Sequence, residues 1–75
     1  MREKKEPIQS FGEFIRIKRV SLGLTQHEVA AMAKTTQGYV CKIENGSREP
    51  TLTVALQLCE ALGLDVNDFI HQNRK

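Results

Sequence analysis

Covalent chemistry has little to work with in this chain. Cys41 and Cys59 have seventeen residues between them, neither belongs to a C-x-x-C pair, and His27 and His71 keep no finger-like spacing from them. Both thiols are expected to be small, buried or half-buried groups kept reduced, with no metal site. No nucleophile and base, no paired carboxylates and no phosphate-cradling glycine loop can be recognised, so no enzyme and no cofactor are expected. Non-covalent recognition is better supplied. In TTQGYVCKIENG, residues 35–46, Thr36 can cap the start of a short helix and Gly46 can stop it, yet Gln37, Gly38, Tyr39 and Lys42 make no sense as a core-facing stripe. Gly38 costs about 1 kcal/mol of helix stability relative to alanine. These residues need a polar partner.

Charge suggests which kind. The chain has 75 residues and a net charge of only +2. Between Arg16 and Arg48, however, six bases (Arg16, Lys18, Arg19, Lys34, Lys42, Arg48) face two acids (Glu28, Glu44), whereas from Pro50 onward two bases face three acids. One half of a small domain is therefore basic, the footprint of a surface that meets phosphates. A chain of this length makes one domain of modest stability. It has no run of eighteen apolar residues, and its start, MREKKEPIQS, lacks an apolar core. Neither a membrane span nor a secretory signal is expected, and the location expected is the cytoplasm.

The elements that must hold these groups are helices. Residues 1–9, charged and interrupted by Pro7, are expected to be a flexible arm, residues 10–72 the folded domain and 73–75 a tail. Ser10 caps a first helix from Phe11 to Leu22, stopped by Gly23, whose stripe Phe11, Ile15, Lys18 and Leu22 should face the core. Ile17 and Val20 lie roughly 140–160° from Ile15 and should be an exposed apolar pair. Thr25-x-x-Glu28 is a capping box opening a second helix that runs to about Ala33, with small residues in its middle. The third helix follows Thr36, with Val40 and Ile43 pointing inward. The fourth, from about Leu52 to Leu62, carries Leu52, Ala55, Leu58, Cys59 and Leu62 and stops at Gly63. Asp65 to Asp68 opens a short fifth helix bearing Phe69 and Ile70. No segment alternates apolar and polar residues as a strand would.

The expected fold is therefore all-α, a compact bundle of five short helices. Helices 2 and 3, both capped and joined by a three- or four-residue turn, have the spacing of a helix-turn-helix. Through LGLTQHEVA, YVCKIENGSREP and LQLCEALGLDVNDF the chain resembles the Cro/C1-type, or XRE, family of bacterial and phage transcription regulators, from Phe11 to about Ile70. That resemblance implies a lambda-repressor-like DNA-binding domain with helix 3 in the major groove of double-stranded DNA.

It also implies roles. Gln37, Gly38, Tyr39, Cys41 and Lys42 stand at groove-facing, base-reading positions; a glutamine can present donor and acceptor to adenine, and a lysine can donate to guanine or to a phosphate. Tyr39 has packing over the turn as its alternative. Thr25, Gln26, Thr36, Asn45, Ser47 and Arg48 stand where the DNA backbone is met, Gln26 as a first-turn side chain with no structural need. Arg19 and Glu44 match an internal ion pair between helices 1 and 3. Lys34 occupies a turn position where the family has glycine, so a left-handed backbone is expected there. A homodimer through the helix 4 to helix 5 region on a palindromic operator, repressor-like in action, is the implied assembly. Two other readings are an antitoxin with autoregulatory DNA binding, whose arm and tail (His71 to Lys75) fold on a protein partner, and a protein-interaction module without DNA binding.

Overall fold

Each helix is started by a side chain that satisfies its first free amides. The computed structural model describes residues 10–72 and contains α1 (Phe11–Ser21), α2 (Gln26–Met32), α3 (Gln37–Glu44), α4 (Leu52–Leu62) and α5 (Val66–Gln72). The arm expected at residues 1–9 and the tail at 73–75 lie outside the described residues. Ser10, Thr25, Thr36 and Thr51 are N-caps, their hydroxyls accepting the N–H groups of Glu13, Glu28, Tyr39 and Val54. Thr25 and Glu28 form the full reciprocal box, the Glu28 carboxylate accepting the Thr25 N–H at 2.8 Å. The Asp65 carboxylate accepts the N–H of Asn67 at the head of α5. Gly23, Gly46 and Gly63 turn the chain out of α1, α3 and α4 with positive φ.

The core is a single cluster of Phe14, Ile15, Val29, Ala30, Ala33, Val40, Ile43, Leu58, Cys59 and Leu62. Val29, Ala30 and Ala33 let α2 lie close to both α3 and α4, as small residues in its middle should. Burial holds the Cys59 thiol protonated by raising its pKa, with Asp65 adding a smaller push in the same direction. No described helix is long and apolar enough to cross a membrane.

Two expected core positions are corrected. Leu22 does not continue the α1 stripe: it is the C-cap, where the chain is already leaving the helix, and 49% of its surface is exposed. The buried stripe instead includes Phe14, which packs with Phe11 and Phe69 at ring-centre separations of 6.2 and 5.3 Å. Leu52, in the first turn of α4, is 73% exposed; the residues that α4 buries fully, Leu58, Cys59 and Leu62, lie toward its C-terminal end, and in the first turn it is Val54 that packs against the core. Ile17 and Val20 are exposed as expected.

Candidate nucleic-acid interface

The position of α3 is set from α1. Gly12 is buried against the backbone of α3, and a Cβ built there would overlap the carbonyl oxygen of Ile43, so only glycine allows this approach. Further along α1, Arg19 spans the same joint. Its Nε donates to Glu44 Oε2 at 2.8 Å and its Nη2 to Glu44 Oε1 at 3.0 Å, the bidentate geometry of a strong guanidinium–carboxylate pair. Nη1 donates to the Leu24 carbonyl at 2.8 Å, tying in the loop that leads to α2. The Glu44 side chain is only 4% exposed and that of Arg19 14%. The bond to Glu44 raises the Arg19 pKa against the opposing effect of burial, so the guanidinium stays charged.

Gln26 also belongs to this joint, where its Nε2 donates to Glu44 Oε1 at 3.0 Å. This corrects the expectation of a first-turn side chain with no structural need. The signal lay in Glu44, since a bidentate carboxylate keeps lone pairs beyond those Arg19 uses. The same glutamine stands at the head of α2 beside a shallow depression of about 180 Å³ lined by Arg16, Arg19, Gln26, Cys41, Glu44 and Asn45. Arg16, half exposed and 4.0 Å from Glu13, belongs to the basic half of the sequence but has no role implied there; it lies beside Cys41 and Asn45 on the outward surface.

With Val40 and Ile43 sealed inside and Glu44 held at the joint, the remaining side of α3 faces outward. Gln37, Gly38, Cys41 and Lys42 are all exposed, which corrects the expectation of a buried or half-buried thiol at Cys41, since that position lies on the side of α3 away from Val40 and Ile43. Among the described residues no side-chain hydrogen bond or ion pair occupies Gln37 or Lys42. Thr25 and Thr36 are caps first. Asn45 closes a small turn, its Oδ1 accepting the Ser47 N–H at 2.9 Å, while the Lys42 carbonyl accepts the N–H groups of Ser47 and Arg48. Arg48 is thereby held near α3, with its guanidinium carbon 5.3 Å from the centre of the Tyr39 ring. Thr35, Thr36, Gly38, Tyr39, Lys42 and Arg48 line an open concavity of about 420 Å³, of which Thr35 carries no signal in the sequence.

Between α2 and α3 the turn is made by Lys34 at φ +61°, the left-handed conformation expected for it. A residue with a Cβ is strained there by roughly 1–2 kcal/mol. The Thr35 N–H still reaches the Ala30 carbonyl at 2.9 Å, so the turn closes as it would with glycine.

Two capped helices joined by this turn, the second polar on its outward side, match a helix-turn-helix family profile over residues 15–69. The chain belongs to this family. Its members of Cro/C1 type are DNA-binding transcription regulators. Among relatives of this helix-turn-helix chain, the uncharacterized HTH-type transcriptional regulator YqaF of Bacillus subtilis is 38% identical over 57 residues, covering 76% of this chain and 75% of that protein. The transcriptional regulator ClgR of Mycobacterium tuberculosis is 36% identical over 56 residues, 75% of this chain but only 50% of ClgR. The crystal structure of the restriction-modification controller protein C.AhdI from Aeromonas hydrophila superposes with a TM-score of 0.74 at 30% identity, covering 79% of this chain and 86% of that one.

Proposed function

We propose that this helix-turn-helix protein binds a palindromic operator sequence-specifically as a homodimer, with α3 in the major groove, and acts in the bacterial cytoplasm as a repressor-like regulator. The observation that supports this most is the division of α3: Val40 and Ile43 are sealed into the core while Gln37, Gly38, Cys41 and Lys42 stand exposed between the Thr36 cap and Arg48. Gln37 and Lys42 are the base readers, with Gly38 and Cys41 small enough to let the backbone approach the groove. Thr25, Thr36, Asn45, Ser47 and Arg48 meet the sugar-phosphate backbone on either side, and Gln26 does so through the amide N–H that its bond to Glu44 leaves over.

A domain of this size reads about four or five base pairs, so useful affinity needs two copies on a two-fold site. In the helix 4 to helix 5 region the apolar surface available for pairing is Leu52, Leu56 and Ile70, with the exposed pair Ile17 and Val20 on α1 as the other candidate. Selection from a random duplex pool at several salt concentrations tests the reading. Enrichment of a two-fold-symmetric sequence is expected. Binding that weakens with salt but enriches no sequence would refute sequence-specific regulation and leave only nonspecific DNA binding.

A further inference from the structure

Of the five outward positions on α3, Tyr39 alone is half-buried, and it alone is engaged at both ends. Its hydroxyl oxygen accepts the N–H of Thr51, the N-cap of α4, at 3.3 Å. Its ring lies under Arg48. One side chain therefore ties both ends of the segment from Arg48 to Thr51 to α3, and Pro50 within that segment restricts the conformation of Glu49 before it. The ring face attracts the cation without using its N–H groups, which stay free to form the paired hydrogen bonds that phosphate oxygens accept. The concavity beside it is lined by Arg48 and the Thr35 and Thr36 side of α3, with Lys42 at its base-reading edge and no carboxylate.

We propose that this concavity seats one backbone phosphodiester and that Tyr39 is its positioning residue, holding Arg48 beside the phosphate, and is not a base reader. The proposal rests on the DNA-binding reading. It divides the outward face into a base-reading part, Gln37 and Lys42, and a phosphate-holding part, Tyr39 and Arg48.

Anisotropy of a labelled mixed-sequence duplex of about 20 base pairs, titrated over a series of NaCl concentrations, counts the phosphate contacts through the slope of log affinity against log salt, about 0.9 for each contact. Tyr39→Leu and Arg48→Ala are each expected to lower the slope by about 0.9, and the double variant to lower it no further. Tyr39→Phe keeps the ring and should keep the wild-type slope, and the sequence that Tyr39→Leu selects from a random duplex pool should match the wild type. A wild-type slope in Tyr39→Leu, additive losses in the double variant, loss of slope in Tyr39→Phe, or a changed preference at one base pair overturns the proposal. Should Tyr39→Leu fail to fold, proton NMR of the unmodified protein decides: Arg48 methylene signals moved upfield by the ring are expected, and unshifted signals overturn it. A wild-type protein that binds the duplex at no salt concentration refutes the DNA-binding reading instead.

Discussion

On its inner side α3 presents Val40 and Ile43 with no more than 2% of their surface exposed, and Glu44 holds hydrogen bonds from Arg19 and Gln26; on its outer side Gln37, Gly38, Cys41 and Lys42 stand in the open. Eight residues thus serve two different physical purposes. The inner face is over-determined, with a backbone-to-backbone contact at Gly12, a bidentate ion pair and apolar packing all setting one position. The outer face is left to chemistry that the fold does not need. The difference leads to an expectation: substitutions on one side should fall on stability and those on the other on the recognition proposed for this face.

Substitutions at the joint test the inner half of that contrast most severely. Gly12→Ala places a methyl group against the Ile43 carbonyl and is expected to destabilise the domain by more than about 3 kcal/mol, read from urea unfolding. A loss under about 1 kcal/mol would mean that α1 and α3 can separate freely. Glu44→Ala leaves Arg19 charged and without its carboxylate; since the pair lies near the surface of a small domain, a loss of about 2–3 kcal/mol is expected in the same measurement. Smaller in its consequence for the fold, Lys42→Ala should leave the unfolding midpoint in place and relax base preference by about 1–3 kcal/mol at the position it reads. A Lys42→Ala variant that melts early and still selects the wild-type sequence would put Lys42 on the inner side of the contrast. The mildest change is Lys34→Gly, which removes the left-handed strain but makes the unfolded chain more flexible. A net gain of about 0.5–1 kcal/mol in stability is expected, with duplex affinity unaltered.

Much of this is legible in the sequence because helix ends are local. Ser10, Thr25 with Glu28, Thr36, Gly23, Gly46 and Gly63 act within three or four residues of themselves, and each stands where its residue type places it. Lys34 is legible only through the resemblance, which sets it at a turn position where the family has glycine. Leu22 and Leu52 are not, because periodicity says which way a side chain points but not whether another helix is present at that height. Phe14 escapes notice because its partner Phe69 lies fifty-five positions away. The structural role of Gln26 is hidden similarly, in a carboxylate on another helix. For the site, residue types alone mark out the polar side of α3, while Tyr39 stays divided between packing and recognition until Thr51 and Arg48 are seen around it.

By itself the sequence determined the helices, their ends, the inward pair Val40 and Ile43, and the basic, polar character of α3's other face, since all of these follow from short-range backbone chemistry and side-chain period. Tertiary structure alone decided how closely α1 and α3 approach, through the missing Cβ of Gly12, and which polar groups are already taken. Gln26 and Tyr39 are committed to protein partners and Gln37 and Lys42 are not, a distinction that depends on distances between residues far apart in the chain and leaves no periodic trace within any one helix.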